Sequence, residues 1–321
     1  MLCIDFCFFL RYYKAINSKG GFTMELIKKI DIHAHATLFP DYFPMCRANN
    51  RFVNPEEVIA YYDELNIEKG MLLPISSPEG QITPMTSEAC KFISDKYPDR
   101  FLWYCNVDPR AMFNTPDSDL ASIINAYKSI GAKGVGEITA QVYADDPKLD
   151  NLFSACEDLD MPALIHIGPQ FGNCYGIVDD MGLPRLEKML KKHPKLKLIG
   201  HSQPFWAEIS SDLTEDMRNE FPKGKVYEGR IVELMREYPN LYGDLSANSG
   251  ANAIMRDPDF GARFIEEFSD RLMYGCDICA NNNTHQYRFN DYLNKMLEDK
   301  MISEENYKKI VRENAIRVFN L

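Results

Sequence analysis

The chain has 321 residues, 45% of them hydrophobic and 26% charged, with a formal net charge of −11 and a pI near 5.1. That length is ample for a large core, as one α/β barrel or two smaller domains. The acidic balance disfavours nucleic acid and anionic membranes as partners, since both require clustered positive charge.

The opening segment, MLCIDFCFFLRYY, holds a short apolar run interrupted by Asp5. It has no basic flank and no small-residue cleavage site, and it is too short to span a bilayer. Met24 stands directly before the first orderly strand. Residues 1–23 are therefore read as a disordered extension or a misassigned start, and residues 24–321 as the folded unit. Nine cysteines at irregular spacing suit reduced thiols in a cytoplasmic protein better than a disulfide framework.

From Lys28 onward one pattern repeats: an apolar run, a loop, then an amphipathic stretch. The runs are IKKIDIHAH, KGMLLPIS, RFLWYCNVDP, AKGVGEI, MPALIHIG, LKLIGHSQ, NLYGDLSAN and RLMYGCDIC. Most are near-continuous apolar segments, as expected of parallel strands covered on both faces. Helices are expected between them. NPEEVIAYYDELN offers Asn54 as N-cap, Pro55 at the first helical position and apolar residues at 58, 59, 62 and 65. DSDLASIINAYKSIGAKG stops at glycine, and GLPRLEKMLKKHPKLKLIGH reads as helix, His-Pro break, strand. Eight strand–helix units with no interior linker predict a (β/α)₈ TIM barrel. A doubly wound open sheet is the alternative, disfavoured because no G-x-G-x-x-G follows any strand.

In such a barrel, chemistry belongs at the C-terminal ends of the strands. The first run ends in His33-Ala-His35, the fourth in Glu137, the fifth carries His166, the sixth ends in His201 and the eighth in Asp277. Residues two apart on a strand face one side, roughly 6.6 Å apart along the axis, so two imidazoles can converge on one ion. His33, His35, His166 and Asp277 make a donor set suited to a first-row divalent metal, zinc before others, with a position left for water. Each feature alone has a plainer reading: an incidental H-x-H, a core histidine, a helix N-cap. Their coincidence at five strand ends favours the metal. Of the remaining histidines, His193 lies in a turn on the opposite rim and His285 in the loop after the last strand. CDIC, at 276–279, has no second cysteine pair and is not read as a zinc or redox site.

The H-x-H of the first strand, His166, His201 with its following SQPFW, Asp277 and the closing ENAIRVFNL together resemble the amidohydrolase superfamily. Within it, they resemble the amidohydrolase-related branch that includes aminocarboxymuconate-semialdehyde decarboxylase-like enzymes. The resemblance covers nearly all the chain from Lys28. It implies an enzyme that binds one divalent metal through His33, His35, His166 and Asp277. His201 would polarise the substrate or move a proton, and Asp277 would serve as proton shuttle. Glu137 is an open position: in some relatives a residue there bridges a second metal, in others it is unused. A homodimer is also implied.

The resulting expectation is a metal-dependent hydrolase acting on a small amide, lactone or related carbonyl compound through an activated water. Non-oxidative decarboxylation on the same scaffold is the alternative. A small phosphoesterase and a metal-binding protein without turnover are less favoured. Substrate contacts are expected from rim residues Gln170, Asn173, Gln203, Trp206, Asn248 and Ser249, with Arg47 and Arg51 as anchors for a substrate carboxylate. Trp206 is open between stacking on a ring and capping the barrel. Asp244 is read as a partner that orients a ligand histidine, and ATLFPDYFP as packing over the mouth.

Overall fold

The computed structural model describes residues 27–41, 50–80 and 85–321; the expectation for residues 1–23 lies outside them. Helix formation follows from local signals at the helix ends. Asn54 accepts the Glu57 amide with its side chain while the Glu57 carboxylate returns to the Asn54 amide at 2.9 Å, and Pro55 opens the helix Pro55–Leu65. This helix buries Val58, Tyr62 and Leu65 in one stripe, and aliphatic side chains buried this way each contribute about 1.5–3 kcal/mol. Asn66, left-handed at φ 56°, ends the helix and turns the chain directly into the next strand. Thr86, Asp119, Asp146 and Asp257 cap the N-termini of Ser87–Lys96, Leu120–Ser129, Pro147–Asp158 and Pro258–Phe268, each side chain accepting a first-turn backbone amide. Among the described residues no helix is long and apolar enough to cross a membrane.

The strands are β1 (Lys29–Ala34), β2 (Ile67–Leu72), β3 (Phe101–Trp103), β4 (Val135–Ile138), β5 (Ala163–Gly168), β6 (Ile177–Val178), β7 (Leu198–His201), β8 (Leu241–Asp244) and β9 (Leu272–Met273). They pair in parallel as two arcs, β1-β2-β3 and β4-β5-β7-β8-β9, with the two-residue β6 beside β5 and off the ring. Two narrow seams join the arcs. Cys105 bridges Val135, with Cys105 N–H to Gly134 O at 3.0 Å and Gly136 N–H to Cys105 O at 2.9 Å. Ala34 bridges Ile278, and Asp277 N–H reaches His33 O at 2.7 Å. The ring closes into a (β/α)₈ TIM barrel.

Ile30, Ile32, Met71, Leu73, Tyr104, Leu164, Ile199, Tyr242 and Met273 fill the barrel interior. Ala315, Val318 and Phe319 of the last helix (Asn314–Phe319) pack into the same cluster and close the barrel below. A larger apolar layer lies between the strands and the surrounding helices. With its base plugged, the barrel can hold polar chemistry only at the opposite, C-terminal end of the strands.

Candidate metal centre

Strict alternation on β1 would send His33 outward, because Ile30 and Ile32 already point into the barrel. The strand avoids this by a bulge: Asp31 pairs with Gly70 and Ala34 with Leu72, so three steps on β1 match two on β2. His33 and His35 thereby turn inward above Ile32, while Asp31 faces the helix layer. The Asp31 carboxylate accepts the His33 and Cys276 amides, each at 2.9 Å, and the Tyr62 hydroxyl at 2.8 Å. β4 repeats the device. Val135 pairs with Ala163 and Ile138 with Ile165, and the extra residue presents Glu137 to the interior.

The centre is assembled from six side chains. His33 Nδ1 donates to Asp244 Oδ2 at 2.7 Å and His35 Nδ1 to the Leu73 carbonyl at 2.8 Å. A carbonyl and a carboxylate only accept, so both Nε2 atoms carry lone pairs, and they stand 3.2 Å apart. Glu137 Oε2 lies 3.7 and 3.5 Å from these two nitrogens, and Asp277 Oδ1 lies 3.6 and 3.5 Å from them. Glu137 Oε1 meets His166 Nδ1 at 2.6 Å. His201 approaches from the far side, its Nδ1 3.0 Å from Asp244 Oδ2 and 3.1 Å from Ser246 Oγ. Donor atoms of His33, His35 and Glu137, of His33, His201 and Asp277, and of Glu137, His166 and His201 fall within 4.8 Å of one another in each trio.

Two facing lone pairs flanked by carboxylates require a cation between them. Burial by itself would push His33 and His35 down, but Asp277 and Asp244 raise His33 well above its ordinary value, and Asp277 and Glu137 raise His35 to about 9. Burial would raise Glu137, Asp244 and Asp277, yet the surrounding histidines hold all three below the usual carboxylate range. Every ion pair these three carboxylates make among the described residues is with a histidine. A nitrogen- and oxygen-rich cluster with no lysine or arginine counter-charge fits a divalent metal.

The structure brings His33, His35, Glu137, His166, His201 and Asp277 into this one cluster. The rim residues divide. Gln170 and Asn173 are exposed and line a cavity of about 480 Å³ with Arg218, Glu215 and Asp216, and Gln203 is half-buried at the start of the helix Gln203–Ala207. Trp206 is not at the mouth: it is 2% exposed, packs on Phe264 and donates its indole N–H to the Asp244 carbonyl at 2.8 Å. Its size favours burial over display, and it braces Asp244 from behind instead of meeting substrate. Ser249 is also buried. Arg51 is held by both oxygens of Glu57, at 2.9 and 2.6 Å, which removes it as a carboxylate anchor. Arg47 lies outside the described residues. Asn248 is exposed and bonded to Arg288.

Sequence reasoning missed Ser246, Asp31 and the Leu73 carbonyl. Ser246 had a signal, since Asp244-x-Ser246 repeats the spacing of His33-x-His35 at another strand end. The Leu73 carbonyl had none, because a backbone acceptor is invisible in residue type.

A (β/α)₈ barrel with a histidine–carboxylate cluster at its C-terminal rim defines a class of metal-site TIM-barrel enzymes. Within that class the chain belongs to the amidohydrolase family, whose sequence profile matches residues 30–321. A search of curated proteins finds no match. Among solved structures the chain is similar to an uncharacterized TIM-barrel protein of Bordetella bronchiseptica, with 17% identity, a TM-score of 0.62, and coverage of 92% of this chain and 99% of that one. It is similar to a probable 2-pyrone-4,6-dicarboxylic acid hydrolase of Acinetobacter baumannii, at 14%, 0.58, 92% and 100%. It is also similar to a 5-carboxyvanillate decarboxylase of Novosphingobium aromaticivorans complexed with manganese, at 20%, 0.57, 92% and 97%. Identities this low establish the shared fold.

Proposed function

We propose that the chain is a metal-dependent hydrolase that adds water to a small amide, lactone or related carbonyl compound. The observation that carries this reading is the placement of Glu137, with Oε2 toward the His33–His35 pair and Oε1 toward His166. A carboxylate whose two oxygens face two groups of imidazoles would fit a two-ion site, and the five donors His33, His35, Glu137, His166 and Asp277 exceed what one tetrahedral ion takes. His33, His35, Glu137, His166 and Asp277 would hold the metal, zinc first among the candidates. When bound, it supplies a water acidic enough to ionise near neutral pH and a positive charge beside the carbonyl oxygen.

The side chains then divide the work. Asp277 has the most open of the three carboxylates, 24% exposed against 4% for Glu137 and 0% for Asp244. It accepts the proton of the attacking water and returns it to the leaving nitrogen or oxygen. Held in its ionised form by the neighbouring histidines, Asp277 is a weak base that releases the proton readily. His201, fixed through Nδ1 by Asp244 and Ser246, turns Nε2 away from them, in position to hydrogen-bond the carbonyl oxygen as it gains charge.

Non-oxidative decarboxylation is the second reading, and one contact favours it. The 2.6 Å bond from Glu137 to His166 also suits a carboxylate that orients a single-ion ligand. The manganese-containing decarboxylase of similar fold supports the same reading. Metal stoichiometry separates the two. Two equivalents per chain by elemental analysis, lost in His35→Ala, with turnover of an amide and lactone panel, are expected of the hydrolase. One equivalent, with CO₂ release from carboxylic acids and no hydrolysis, would replace it by the decarboxylase.

A further inference from the structure

Several arginines in the segments that follow the strand ends are neutralised, and Arg256, which has no ion pair among the described residues, is taken up by the carbonyls of Lys223, Gly224 and Lys225. Arg51 pairs with Glu57, Arg110 with Asp108 and Glu79, Arg185 with Asp145, Asp179 and Asp180, and Arg230 with Glu187 and Glu233. Arg288 is different. It stands in the first turn of the helix His285–Glu298, is exposed, and forms no ion pair among the described residues, although Asp291 lies one turn further along. Its Nη2 instead donates across to Asn248 Oδ1 at 3.3 Å. A guanidinium has no acceptor, so the Asn248 amide must present its oxygen to Arg288 and turn its NH₂ outward. That NH₂ has no partner among the described residues. The pair is thus an array of donors alone.

Both members are tied to the metal centre. Asn248 follows two residues after Ser246, whose Oγ is 3.1 Å from His201 Nδ1. The helix that carries Arg288 is pinned at its start by His285 Nε2, 2.6 Å from the carbonyl of Cys276, the residue before Asp277. In a chain with 47 acidic and 36 basic residues, an arginine free of carboxylates beside the mouth is available to a carboxylate from outside.

We propose that Arg288 and Asn248 form an anion subsite that takes a carboxylate group of the substrate, distant from the reacting carbonyl. A planar guanidinium matches a carboxylate with two parallel N–H bonds. The proposal rests on the hydrolase reading for what the rest of the substrate does, but not for binding itself.

The test uses benzoate and benzamide, which share a ring and differ in charge, titrated by calorimetry into the metal-loaded and metal-depleted full chain. Arg288→Gln is expected to weaken benzoate at least tenfold in both forms, leaving benzamide affinity and metal content unchanged, with Arg288→Lys recovering part of the loss. Benzoate affinity within twofold of the wild type in Arg288→Gln, or equal weakening of benzamide, would overturn the subsite. A chain that takes up no metal yet binds benzoate through Arg288 would sink the hydrolase reading and leave the subsite standing.

Discussion

Asp244 does the most at the scale of single residues, although it is fully buried. Its Oδ2 accepts from His33 Nδ1, from Ser246 Oγ at 2.8 Å and from His201 Nδ1, so one carboxylate sets the tautomer of a metal-ligand candidate and of the histidine proposed to face the carbonyl. Asp244→Asn keeps the shape but offers one acceptor oxygen and two competing donors. One of the two histidines then loses its orienting charge. Partners of this kind are worth about 10–100-fold in metal affinity or activity, and both are expected to fall by that order. Competition against a chromogenic chelator measures the first and kcat the second; an Asp244→Asn chain with wild-type values of both would show that the hydrogen bonds seen here are incidental. Trp206, which donates to the carbonyl of the same residue, is a milder version of the same support.

Whole elements show where sequence reasoning succeeds and where it stops. The strands were legible because parallel strands buried on both faces must be apolar throughout, and the helix Pro55–Leu65 because Asn54, Pro55 and Glu57 spell its capping chemistry. The histidines were legible by residue type at strand ends. The bulges were not: IDIHAH reads as plain alternation, and only the pairing with β2 reveals the extra residue that lets Ile32 and His33 face the same interior. Likewise nothing marked β6, two residues long, or the π-helical turn Lys309–Glu313 inside the last helical segment. Gly136 makes the β4 bulge testable. A Cβ there would meet the backbone oxygen of Leu164 at 2.9 Å, an atom fixed in the ladder of β5. In Gly136→Ala the backbone of β4 must shift, at a cost of about 1–3 kcal/mol, and Glu137 moves with it. The expected result is a lower melting temperature together with weaker metal uptake. A variant that loses stability but binds metal as the wild type does would show that Glu137 is not positioned by the bulge.

The site and the fold are coupled at the scale of the whole molecule. The ring consists of a three-strand arc and a five-strand arc, and its two seams are bridged only narrowly. His33 and His35 come from the first arc. Glu137, His166, His201 and Asp277 come from the second or from the loop that follows it. A metal held by both groups therefore ties the arcs across both seams, at the end of the barrel that the last helix does not plug. Ligands that bind only the native state stabilise it by mass action, about 2.7 kcal/mol at a hundredfold excess over Kd, which for a chain of this size raises the melting temperature by several degrees. Uniform stabilisation would accompany any tight ligand. The arc geometry demands something more specific: on chelation, hydrogen exchange should accelerate first at the seam amides Gly136, His35 and Asp277, which reach Cys105 O, Ile278 O and His33 O. Amides inside the five-strand arc, such as Ala163 and Leu198, should keep their protection longer. Exchange that rises equally at seam and interior amides when metal is removed would mean that the barrel closes without help from its site.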